Sequence, residues 1–105
     1  MDNKTVFECV EGNISLRSNQ IFYIESFRHK NTIHTASKEY HIYESMDNLE
    51  RKLHGGGFLR IHRCFIVNID HVVNINNYMI TLDNEVRLPV AKARYKEIKE
   101  IILGH

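Results

Sequence analysis

Between Thr5 and Tyr43 the chain repeats one pattern five times: a run of five or six residues rich in β-branched and aromatic side chains, then a polar break. The runs are TVFECV, ISLRS, IFYIES, NTIHTA and EYHIY, and Asn, Gly, Ser and Lys supply the breaks. Residues of these types fit a pleated, half-buried surface, and the breaks carry turn chemistry. The connections are too short for crossover helices, which disfavours a parallel α/β plan and makes the series an antiparallel meander.

The period changes after Tyr43. Ser45 is placed to cap a helix with Asp47 in its first turn, with Met46, Leu49 and Leu53 on one face, and the glycines of HGGG end it. Strand-like runs then resume as FLRIH, CFIV, HVVNI, MITLDN and EVRLPV. Asn77-Tyr78 reads as a turn, and Asp83-Asn84 as a two-residue hairpin loop between MITL and EVRLPV. In the last segment Ala91, Tyr95, Ile98 and Ile102 form one apolar stripe and Gly104 is the stop, which predicts a second docked helix. The fold class expected is mainly β, with about nine or ten short antiparallel strands and two short helices, residues 1–105 forming a single domain.

Composition narrows the class of function. A content of 43% hydrophobic and 26% charged residues in 105 is that of a globular protein, not of a disordered one. No apolar run approaches the roughly 20 residues that span a bilayer, and MDNKTVFECV lacks the plan of a secretory signal. The expected location is cytoplasmic, with no membrane partner. Cys9 and Cys64 are too few for a disulfide framework or a four-cysteine zinc site, and both read as reduced packing residues.

Seven histidines show no His-x-His or HExxH spacing, so no metal site is expected. The HGGGF stretch resembles an oxyanion-hole turn only superficially, because no GxSxG elbow accompanies it, and it also lacks the ending of a phosphate-binding loop. The chain therefore reads as a non-enzyme with no cofactor. What remains is positive charge. Residues 1–50 hold five Lys/Arg against eight Asp/Glu, a net of −3, whereas residues 51–105 hold nine against five, a net of +4. Arg51, Lys52, His54, Arg60, His62 and Arg63 fall in a stretch with no acid from 51 to 69. Arg87, Lys92, Arg94, Lys96 and Lys99 form a second group, and the turn FRHKN offers Arg28, His29, Lys30 and Asn31. Such clusters bind phosphates by releasing counterions, and Arg or Asn among them can read base edges. The competing readings are a β-rich protein-interaction or ligand-sensing module and a small His-dependent hydrolase or nuclease. An RNA-binding plan with alternating helices fits poorly, since strands come first and in excess.

The order IFYIES, a polar turn, MDNLERKL, FLRIHRCFIVNIDHVVNI and EVRLPVAKARYKEIKE resembles the LytTR DNA-binding domain of bacterial response regulators of the AgrA, VirR and AlgR type. The likeness runs from about Asn13 to Ile102, and its most specific part is the Arg-x-His-Arg element followed by aromatic, aliphatic, Val and Asn. It implies small stacked antiparallel sheets whose loops enter successive major grooves of double-stranded DNA. Carried over by position, the base contacts implied are Asn31 with His29; Arg63 with His62; and either Lys92 or Arg94. From the basic clusters themselves, the expected phosphate contacts are Arg28, Lys30, Lys52, Arg60 and Lys96. Cys64 and Ala91 stand where many members have serine, so a hydroxyl is missing at each. The implied partners are DNA with direct-repeat promoter sites, a receiver domain in a longer protein, and a second copy on DNA.

FLRIHRCFIVN, Phe58 to Asn68, is the centre of this expectation. If its two halves pair, alternation buries one face while His62 and Arg63 occupy the bend. Asn68 then caps the turn NIDH, and Arg60 meets a phosphate or an internal acid such as Glu25.

Overall fold

The computed structural model describes residues 4–105. Five strands come first: β1 (Lys4–Cys9), β2 (Gly12–Arg17), β3 (Ile21–Phe27), β4 (Lys30–Thr35) and β5 (Glu39–Ile42). Helix α1 (Met46–Lys52) follows, then β6 (Phe58–His62), β7 (Phe65–Asn68), β8 (Val72–Asn76), β9 (Met79–Leu82), β10 (Arg87–Pro89) and helix α2 (Tyr95–Leu103). Ten strands and two helices agree with the sequence expectation, but the expected five-strand meander does not hold: β2 lies at the sheet edge, away from β3, and β1 pairs with β5. Seven strands make one sheet in the order β2-β1-β5-β4-β3-β7-β6, three make another in the order β10-β9-β8, and every described pairing is antiparallel.

Two apolar cores lie on opposite faces of the large sheet. Phe7, Leu16, Ile24, Ile33, Ile42 and Ile66 meet Met46, Leu49 and Leu53 of α1 in the first. Ile61 and Val67 meet Ile80, Leu82, Leu88 and Ile98 in the second, beneath the small sheet and α2. Each fully buried side chain of this kind contributes roughly 1.5–3 kcal/mol. The crowding of apolar residues around Phe58–Asn68 now has its cause, and one expectation is corrected. The hairpin buries both faces, with Ile66 in one core and adjacent Val67 in the other, because it is sandwiched between α1 and the small sheet.

Local sequence explains the helices. The Ser45 hydroxyl accepts the Asn48 amide at 3.2 Å, Asp47 sits near the positive end of the α1 dipole, and Arg51 and Lys52 near its negative end. In α2, Ile98 is buried while Tyr95 and Ile102 pack against the second core. The Asp83-Asn84 expectation needs correction: four residues, 83–86, connect β9 to β10, with Glu85 at φ 72 and the Asn84 side chain accepting the Val86 amide at 3.1 Å. Asn84 spends its side chain within the loop, so the strands do not close directly across it. Asn77-Tyr78, in contrast, is a two-residue turn with φ of 51 and 62, the combination that a type I′ hairpin demands.

Candidate nucleic-acid interface

Two hairpin turns stand side by side at one end of the large sheet. The first joins β3 to β4 through Arg28 and His29 alone, with φ of 50 and 65. Lys30 and Asn31, expected in this turn, are already β4 residues. The second joins β6 to β7 through Arg63 and Cys64, so His62 closes β6 instead of lying in the bend. The register shift between Arg60 and His62 moves the bend one residue along. Ser26 donates its backbone amide to the Cys64 carbonyl at 2.8 Å, which fastens the two turns together.

His62 braces its own turn: Nδ1 accepts the Cys64 amide at 3.1 Å, and the ring lies 5.7 Å from that of Phe65. With Nδ1 as acceptor, the proton of the neutral ring sits on Nε2. Cys64 is a half-buried turn residue and not the packing residue expected of it, while Cys9 is buried in the first core. A groove of about 530 Å3 runs between the turns and the start of α1, lined by His29, Asn31, Asp47, Arg60, Arg63 and Cys64. Asn31 donates from Nδ2 to the Glu44 carbonyl at 2.7 Å, which orients its amide.

The third segment leans on the same hairpin. Ala91 donates its amide to the Ile61 carbonyl at 2.8 Å, and Arg94 donates from Nη1 to the Arg60 carbonyl at 3.2 Å. Residues 92–94 form a single 3-10 turn leading into α2. Arg94 also pairs with Glu97 at 2.9 Å, whereas Lys92 is exposed and extends over the Tyr78 ring at 5.8 Å.

The cations divide into two sets. Arg28, Lys30, Arg63, Lys92 and Lys96 are exposed and form no ion pair among the described residues. Arg28 lies over the Phe27 ring at 5.2 Å, and Phe27 is itself exposed at the tip of β3. Lys52 and Arg60 are held internally. Lys52 donates to the Val6 carbonyl at 2.7 Å and pairs with Glu44 at 2.9 Å. Arg60 pairs with Asp47 at 2.6 Å and Glu50 at 3.2 Å. The expected partner Glu25 instead lies 2.9 Å from His34 Nε2, because β3 pairs with β4 and carries Glu25 to the face opposite α1.

Sequence reasoning missed the pairing of Arg60 with Asp47 and Glu50: Asp47 read only as a first-turn acid, and Glu50, further along α1, was not singled out. It foresaw that Asn68 caps the turn, and the side chain accepts the Asp70 amide at 3.1 Å. It did not foresee that the same buried amide donates to the carbonyls of Ser18 at 2.9 Å and Ile21 at 3.0 Å, locking β7 to the turn before β3. Among the described residues no group of three or more His, Cys, Asp or Glu is placed to hold a metal ion, and no helix is long and apolar enough to cross a membrane.

Two antiparallel sheets with two short helices, and free cations on the turns, on the approach to α2 and at Lys96 in its first turn, define a β-built domain. Residues 11–103 match the family model of the LytTr DNA-binding domain, and the chain belongs to that family. It is 33% identical over 76 residues to the transcriptional regulatory protein LytR of Staphylococcus aureus strain MW2, covering 68% of this chain and 31% of that protein. It is 27% identical over 105 residues to the sensory transduction protein LytT of Bacillus anthracis, covering 95% of this chain and 43% of that one. The chain thus spans well under half the length of these relatives. A solved LytTr DNA-binding domain from Bacillus cereus shares the fold at a TM-score of 0.79, with 24% identity and 97% of each chain covered.

Proposed function

We propose that this domain reads a specific duplex sequence with its turns, as the DNA-contacting effector part of a bacterial transcriptional regulator. The observation that carries the reading is the pairing of the two turns through Ser26 and Cys64, which leaves Arg63 exposed, without an acid partner and beside His29 and Asn31. Arg63 supplies a planar fork for guanine O6 and N7, and Asn31 and His29 read the neighbouring base edges. Both turns are short and closed by hydrogen bonds, so little ordering cost attaches to binding. In the third segment Lys92 is the better base contact, since Arg94 is occupied by Glu97 and the Arg60 carbonyl.

Arg28, Lys30 and Lys96 meet phosphates, which requires free charge rather than geometry. Lys52 and Arg60 are withdrawn from that role by their acid partners. The domain performs no chemistry of its own. In a longer protein a receiver domain is its natural regulator, the cytoplasm its compartment, and a direct repeat its target for two copies. Selection from random duplexes, repeated at two salt concentrations, tests the reading: one enriched motif at both is expected. Enrichment of no motif would favour a protein-binding β-module instead.

A further inference from the structure

We infer that Arg60 is a specificity-determining residue that never touches DNA: it fixes the angle at which the Arg63 turn is presented and ties that turn to the third contact segment. This rests on the DNA-reading assignment above. The guanidinium of Arg60 lies between α1 and the β6–β7 turn, with its side chain 18% exposed. Nη1 donates to Asp47 Oδ1 at 2.6 Å and to Glu50 Oε1 at 3.2 Å, and Nη2 donates to the Arg63 backbone carbonyl at 2.7 Å. The carbonyl of Arg60 in turn accepts the Arg94 guanidinium at 3.2 Å. One residue therefore joins a helix, the reading turn and the 3-10 turn before α2.

The chemistry suits positioning and not phosphate binding. Two carboxylates already neutralise this cation, so it has little charge left with which to release counterions. Burial works against the charge on Arg60, yet its bonds to Asp47 and Glu50 outweigh that and raise its pKa; the Asp47 carboxyl is held below its ordinary range by the same bond. Arg60 Nε is buried with no hydrogen-bond partner among the described residues, so the group has been drawn inward at some cost. A planar fork fixes direction at both ends, which a lysine ammonium does not. Asp47 and Glu50 are 74% and 49% exposed, so each ion pair alone adds little to global stability. Their effect is local: they stiffen the peptide that carries Arg63, and a base contact is lost when its support is loose.

Three variants of the full chain test this on the duplex enriched by the wild type and on a scrambled duplex of equal length, across a salt series, with thermal melts alongside. Arg60→Lys keeps the charge and Arg60→Gln removes it; Asp47→Asn with Glu50→Gln leaves Arg60 in place but releases its helix end. All three are expected to lower the preference for the enriched duplex about fivefold or more, the lower end of one base contact. Affinity for the scrambled duplex and the salt slope should not fall. A phosphate contact would behave oppositely: Arg60→Lys would bind normally, and Arg60→Gln would weaken both duplexes equally with a slope lower by about 0.9. That result, or an unchanged preference in folded variants, overturns the role. If Arg60→Gln unfolds, the double acid variant decides alone, its substitutions being exposed. A wild-type chain that enriches no duplex overturns the assignment of the face itself.

Discussion

The Ser26 amide donates to the Cys64 carbonyl at 2.8 Å, across 38 positions of sequence, and fastens two turns together. Through that bond β3 ends at the level where β7 begins, and His29 and Arg63 come to line one groove.

Arg63→Ala should lose about 1–3 kcal/mol of binding to the preferred duplex, as a missing fork to guanine does. Lys96→Ala should weaken every duplex alike and lower the salt slope by about 0.9. Fluorescence titrations at several salt concentrations separate the two, and unchanged affinity of the Arg63 variant for its site would remove it from the reading set.

Arg28 and His29 occupy a left-handed turn that favours Asn-Gly, at a cost of about 1–2 kcal/mol per residue. Replacing the pair by Asn-Gly should stabilise the fold by about 1 kcal/mol or more and yet weaken DNA binding, since it removes two of the proposed contacts. Urea unfolding and titration of the same variant check both halves. A stabler protein that binds as well as wild type would show that these side chains contribute nothing.

Burial disfavours a charged His71, but hydrogen bonds to Asp83 at 2.9 Å and to the Asn19 carbonyl at 2.9 Å overcome this and raise its pKa. A raised folded value means that the stabilisation is complete below the unfolded value of about 6.5 and is lost as pH rises through the folded one. The melting temperature should therefore decline as pH rises above about 6.5, and Asp83→Asn should flatten that decline. Parallel profiles for the two proteins would contradict the assignment.

Asn68 uses both ends of its buried amide, so Asn68→Ala should cost about 2–3 kcal/mol. Asn68→Asp is the sharper probe. Its carboxylate keeps the bond from the Asp70 amide but turns an oxygen toward the Ser18 and Ile21 carbonyls, so it should destabilise at least as much. Chemical denaturation reads both, and a loss below about 0.5 kcal/mol would mean the amide is not needed.

The ten strands, the Ser45 cap and the α2 stripe were legible because each is written in neighbouring residues: alternation, a capping hydroxyl, a helical period. The same locality explains the errors. Asp83-Asn84 looks like a tight hairpin until the Asn84 side chain takes the Val86 amide, and a single bulge in β6 shifts the bend from His62-Arg63 to Arg63-Cys64.

Sequence by itself determined that this chain is a series of short strands joined by basic turns, because secondary structure depends on interactions within a few residues; that β1 lies against β5 and not in a simple meander was decided by the tertiary structure. Only the tertiary structure decided which cations are free. Arg60 and Arg63 are three positions apart and chemically alike, but α1 brings Asp47 and Glu50 to one of them and leaves the other exposed. Pairing between distant charges depends on where the chain folds back, and that is set by the packing of α1 on the large sheet.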